Sequence, residues 1–167
     1  MPPDPAKEMK MTIEAGQTLP DVKLVKATES EREPVQTGDY FKGKTVALFS
    51  VPGAFTPTCS AKHLPGFVEK AAELKAKGVD EIVCTAVNDA FVMGVWGKGS
   101  EGITFLADGS GDFARALGLE LDLTGAGLGV RGQRYAMIVK DGVVDKLFVE
   151  APGEFKVSSA EHVLENL

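Results

Sequence analysis

Residues 45–60 read TVALFSVPGAFTPTCS. The first half is an apolar run rich in β-branched residues. It is too short to cross a bilayer and has the make-up of a buried central strand. Pro52 and Gly53 follow that run. Thr56 then suits a helix N-cap and Pro57 the first helical position, which puts Thr58 second and Cys59 third. A helix's first turn carries unpaired N–H groups and the positive end of the helix dipole. Both favour a thiolate over a thiol. The thiolate is a nucleophile, so Cys59 is a candidate for chemistry. The plain alternative is a small buried side chain, the commonest fate of a free cysteine.

Three more runs have the same strand character: EIVCTAVN (81–88), ITFLA (103–107) and RYAMIV (134–139). Between the first two strands, Leu64, Phe67, Val68 and Ala71 fall on one helical face, and Gly78 ends the pattern. Pro65 sits inside this pattern and cannot donate to Ala61, so a kink is expected just beyond Cys59, at a cost of about 3 kcal/mol. AFVMGVWGK (90–98) and DFARALG (112–118) read as short helices, the second closed by Gly118. Asp141-Gly142 lies between two apolar runs, a hairpin signal. Ser158 and Glu161 form a capping box ahead of Ala160, Val163, Leu164 and Leu167. Alternating strands and helices, then a hairpin and a final helix, predict an α/β chain of thioredoxin-like fold. Its mixed central sheet is flanked by helices on both faces. One domain over residues 13–167 is expected, preceded by a flexible lead-in, residues 1–12, with three prolines.

The whole chain has 167 residues, with 18 basic against 24 acidic side chains for a net charge of −6. Nucleic acid and anionic membranes are therefore poor partners. The N-terminus lacks the apolar core of a signal peptide. The two cysteines, Cys59 and Cys84, make no secreted-type disulfide framework. A cytoplasmic, reduced protein is expected. Gly127–Gly132 satisfies G-x-G-x-x-G but precedes a strand instead of opening a helix, so it is not read as a dinucleotide site. The spacings of Cys59, His63, Cys84 and His162 are not those of a zinc site, and no metal is expected. His63, four residues after Cys59, reads either as shaping the site or as solvated. Phe91, Met93 and Trp96 read as packing.

PGAFTPTC resembles the P-x-x-x-T-x-x-C motif of the peroxiredoxins, with Pro52, Thr56 and Cys59 at its defining places. PGAFTPTCSAKHLPGF, VNDAFVMGVWGK, LADGSGDFARALGL, RYAMIVKDGVV and APGEFKVSSAE resemble, in order, the type II or peroxiredoxin-five subfamily. The resemblance implies a thiol peroxidase that reduces hydrogen peroxide and alkyl hydroperoxides, with no cofactor. It makes Cys59 the peroxidatic nucleophile, which becomes a sulfenic acid. Thr56 would orient thiolate and peroxide, Pro52 would shield the site, and Arg134 would bring a guanidinium to the sulfur, with Arg131 the other candidate. Backbone N–H groups of Thr58 and Cys59 would complete the peroxide site. The Phe91 region would contribute to a homodimer face.

Cys84 carries two readings. Its run describes a buried strand, which makes it core packing. The resemblance offers it as a resolving cysteine in a thioredoxin-dependent cycle. External reduction by glutathione with glutaredoxin is the preferred cycle, with glutathione reaching an accessible Cys59 directly. A reading from another class is an oxidant sensor or chaperone that reacts without turnover.

Overall fold

Residues 12–167 are described by a computed structural model. The expected lead-in lies outside them except for Thr12, whose hydroxyl donates to Gly118 O at 3.3 Å. The runs read as strands form the middle of one sheet: β3 (Thr45–Ser50), β4 (Glu81–Ala86), β5 (Ile103–Ala107) and β8 (Tyr135–Lys140). It is completed by β1 (Lys23–Ala27), β2 (Arg32–Gln36) and β9 (Val143–Val149), in the order β2-β1-β5-β4-β3-β8-β9. β3 and β5 run parallel to β4, whereas β8 and β1 pair antiparallel, so the sheet is mixed. The turn between β8 and β9 has Asp141 at φ 51° and Gly142 at φ 77°, as a two-residue hairpin with both φ positive requires.

Alternation along β3 sorts the core into two layers. Ala47, Phe49 and Val51 face one side, with both cysteines; Val46 and Leu48 face the other. The first layer is covered by α2 (Leu64–Glu69), α3 (Ala71–Ala76), α4 (Ala90–Trp96) and α6 (Ala160–Glu165). The second holds Phe41 at the end of α1 (Thr37–Tyr40), and Phe113 and Leu117 from α5 (Asp112–Leu117). Each fully buried Leu or Phe stabilises this arrangement by about 1.5–3 kcal/mol. The α/β fold with helices on both faces is thus as expected.

Three local expectations need correction. The single helix expected from Leu64 to Gly78 breaks at Lys70 into α2 and α3. The bend at Pro65 takes the form of a π-helical turn, Cys59–His63, in which Leu64 N–H reaches back five residues to Cys59 O. Pro65 has no N–H and its ring would crowd the carbonyl of Ala61, so a wider turn relieves both conflicts. Finally, the N-cap of α6 is Ser159, not Ser158: the Ser159 hydroxyl accepts from His162 N–H at 3.1 Å. The hydroxyl of Ser158 is committed elsewhere, to Glu150.

Candidate active site

The segment leaving β3 is held at several points. Val51 N–H donates to Thr85 O at 3.2 Å, and Ala54 N–H to the Asn88 side chain at 2.9 Å. Phe55, a bulky residue, sits at φ 66°, a conformation that costs on the order of 1–3 kcal/mol and persists where surroundings impose it. Thr56 holds the N-cap position, since its carbonyl receives the first helical bond from Ser60 N–H at 3.0 Å. Its hydroxyl, however, turns back to donate to Gly53 O at 2.6 Å instead of capping the turn. Thr58 and Cys59 therefore lie in the first turn, ahead of the repeating bonds.

Arg134, just before β8, reaches this turn from the strand that pairs with β3. Its Nη2 donates to Cys59 Sγ at 3.1 Å and its Nη1 to His63 Nδ1 at 2.9 Å. A guanidinium has no lone pair to offer, so Nδ1 is the acceptor and Nε2 carries the imidazole proton. That proton goes to Ser158 O at 2.9 Å. Burial first, and the Arg134 charge second, lower the His63 pKa to about 3, so the ring is neutral. His63 is fully buried between Phe49, Phe67 and Phe155, which removes the solvated reading.

Arg131 is not the arginine at the sulfur. Its Nε donates to Leu128 O at 2.8 Å, and its Nη1 to Val87 O at 3.3 Å and Pro52 O at 3.5 Å. It thereby braces the loop that carries Pro52. The G-x-G-x-x-G segment supplies β7 (Gly129–Gly132), paired with β6 (Glu120–Leu123) in a separate two-stranded ribbon, and opens no helix.

A cavity of about 220 Å³ lies over this constellation, lined by Pro52, Thr58, Leu121, Arg134, Pro152 and Glu154 among others. Cys59 itself is 0% exposed, which corrects the expectation that it stands open to a small thiol. Cys84 is also free and buried, on β4 opposite Phe49 and Phe105. Burial, and then the nearby Cys59, push its thiol well above the ordinary range. Phe91 departs from its packing role: it is 66% exposed, while Met93 and Trp96 are buried.

A sulfur holding a guanidinium donor beside first-turn N–H groups suits attack on a small electrophile whose leaving atom gains negative charge. Cys59 and Arg134, both singled out from the sequence, meet in the structure, whereas Ser158 was missed as the partner of His63. Its only signal was a capping-box pattern, which pointed to the wrong role.

Residues 14–164 match the Redoxin family model. The chain is 51% identical over 161 residues to Peroxiredoxin-2B of Arabidopsis thaliana, covering 93% of this chain and 98% of that protein. It is 43% identical to the hybrid peroxiredoxin hyPrx5 of Haemophilus influenzae, covering 94% of this chain and 67% of the relative. The structure of reduced Prx3 of Vibrio vulnificus in complex with hydrogen peroxide superposes with TM-score 0.89 at 52% identity. That match covers 93% of this chain and 99% of the other.

Proposed function

The chain belongs to the type II peroxiredoxins, thiol peroxidases of the redoxin family, and from that premise we propose that Cys59 attacks peroxide and that glutathione with glutaredoxin restores it. The observation that carries the reading is the bond from Arg134 Nη2 to Cys59 Sγ at 3.1 Å. The Cys59 thiolate attacks one peroxide oxygen and the O–O bond breaks. The electron pair leaves on the other oxygen, which takes a proton to become water or an alcohol. Cys59 is left as the sulfenic acid. The N–H groups of Thr58 and Cys59 and the Arg134 guanidinium stabilise charge on the oxygens, and Pro52 keeps water out. Thr56, its hydroxyl proton committed to Gly53 O, offers an oxygen lone pair to a bound peroxide.

The reading takes hydrogen peroxide and alkyl hydroperoxides as substrates, the latter with the alkyl group towards the Leu121 and Pro152 side of the cavity. Because Cys59 is buried, the turn that carries it opens before glutathione attacks. Glutathione then displaces hydroxide, which leaves as water, and the mixed disulfide passes to glutaredoxin by exchange. The high Cys84 thiol favours this cycle over resolution by thioredoxin through an internal disulfide. A glutathione-rich cytoplasm suits the cycle. The exposed rings of Phe55 and Phe91, with Val95, offer an apolar face for a homodimer.

Intact mass after one equivalent of peroxide, with and without glutathione, tests the cycle. A glutathione adduct on Cys59 supports it, whereas loss of two hydrogens in high yield favours the internal disulfide. Steady-state peroxide consumption separates an enzyme from a sensor, which reacts once and stops.

A further inference from the structure

The active-site hydrogen bonds do not end at Ser158. Glu150, 6% exposed, directly follows β9, and its N–H donates to Arg134 O at 3.0 Å. Its carboxylate collects the end of the next loop. Oε1 accepts from Lys156 N–H at 2.9 Å. Oε2 accepts from the N–H groups of Lys156, Val157 and Ser158 at 2.8, 2.9 and 2.8 Å, and from the Ser158 hydroxyl at 2.7 Å. Burial acts to raise this acid's pKa, but those donors outweigh it and hold the carboxyl below its ordinary range. The loop so closed presents two groups to the site. One is the Ser158 carbonyl, 2.9 Å from His63 Nε2. The other is Phe155, its ring centroid 5.1 Å from that of His63 and 5.9 Å from the Arg134 guanidinium carbon.

The effect on the sulfur follows from the donor count. If the Ser158 carbonyl turns away, the buried Nε2–H loses its acceptor. The proton cannot move to Nδ1, where Arg134 Nη1 donates and two donors would meet, so the ring instead turns to bring Nε2–H to another acceptor. That turn takes Nδ1 out of line with Arg134 Nη1–H. The guanidinium would swing off His63 and, being planar and rigid, would carry Nη2 away from Cys59 Sγ.

We propose that Glu150 is a positioning residue of the peroxidase reaction: through Ser158 it holds the His63 ring where Nδ1 accepts from Arg134, and so keeps Arg134 on Cys59. This rests on Cys59 being the thiol that attacks peroxide.

The test uses the full chain and Glu150→Gln, which keeps the shape but replaces a carboxylate oxygen with a donor. Nitrogen-15 shifts of the imidazole rings report both the tautomer and the hydrogen bond accepted at Nδ1, and assignment is simple with only two histidines. Wild type should show Nε2–H at His63 with Nδ1 hydrogen-bonded. The variant should show Nδ1 shifted towards the value of a free acceptor nitrogen and a peroxide reaction slower by about tenfold. Ser159→Ala removes the neighbouring cap without touching the carboxylate, and it should lower stability while leaving the Nδ1 shift and the rate unchanged. An unaltered Nδ1 shift with a rate within about twofold of an active wild type overturns the proposal. Should Glu150→Gln not fold, Ser158→Ala deletes only the hydroxyl bond. Smaller changes in the same two readouts support the proposal; none overturns it. A wild type that consumes no peroxide overturns the reading of Cys59 instead, and this proposal with it.

Discussion

Arg134 and His63 meet nitrogen to nitrogen at 2.9 Å, and that contact works only while the imidazole is neutral. A proton on Nδ1 would set two cations against each other in a buried site. The pair therefore couples the site to pH through folding stability, as the first prediction states.

In the unfolded chain His63 takes its proton near the ordinary 6.5, and in the folded chain only near about 3. Between those values the unfolded state binds more protons, so stability falls as pH falls from 6.5 towards 3. The slope from this residue is at most about 1.4 kcal/mol per pH unit, and above 6.5 it vanishes. Glu150, held below its ordinary value, adds a slope only at lower pH. Denaturant unfolding between pH 5 and 6.5 should therefore show a wild-type slope that His63→Gln reduces. Equal slopes in both proteins would contradict the buried neutral ring.

The second prediction compares the two arginines. Arg134→Ala removes the donor from Cys59 Sγ and leaves His63 Nδ1 without one. The peroxide reaction, followed by stopped flow, should slow by about 10²-fold. Stability should drop by about 1–3 kcal/mol from the stranded acceptor. Arg134→Lys should recover little, since a point charge cannot serve both atoms. Arg131→Ala loosens the Val87 and Pro52 carbonyls and should cost less in rate. A larger loss at Arg131 would reverse the assignment.

The third prediction is that Cys59→Ser folds normally and consumes no peroxide. The serine oxygen can still accept from Arg134, so the buried guanidinium keeps a partner. Alkoxide attack does not replace thiolate attack at neutral pH. Measurable turnover with an unchanged unfolding midpoint would remove Cys59 from its role.

The sequence carried the central strands, the hairpin at Asp141-Gly142 and the helix start after Thr56 because each has a local physical cause. The edge strand β2, REPVQ, was not legible: exposed along most of its length and holding Pro34, it lacks the apolar pattern of the central strands. β6, ELDL, alternates in period two but over four residues only, and β7, GVRG, is half glycine, so neither stands out as a strand. At the site, Arg134 was legible through a block of resemblance, whereas the Ser158 and Glu150 partners were not. A carbonyl acceptor leaves no residue signature, and Glu150 stands among loop residues with no spacing to mark it. The cap assigned to Ser158 belongs to Ser159 because Glu150 takes the first serine's hydroxyl, a contact across eight residues that a capping pattern cannot contain.

The last prediction is that Cys84→Ser retains most activity with glutathione and glutaredoxin. Cys84 is 0% exposed in the middle of β4, with ladder bonds to β3 on one side and β5 on the other. A disulfide to Cys59 requires the two Cα atoms within about 7 Å and suitably directed side chains. The sheet holds Cys84 in place, so Cys59 would have to do the moving, and the turn Cys59–His63 would open to allow it. Attack by Cys84 also needs its thiolate, which burial disfavours. Glutathione needs the same opening but brings its own solvated thiol, so it meets one barrier where Cys84 meets two. The serine hydroxyl, buried without an assured partner, should lower stability by about 1–3 kcal/mol, so the assay belongs well below the unfolding midpoint. Under those conditions wild type and variant should turn over at similar rates, and both should gain the glutathione adduct in intact mass. If the variant loses turnover with every reductant, and wild type alone loses two hydrogens on oxidation, Cys84 resolves the sulfenic acid and the glutathione cycle is wrong.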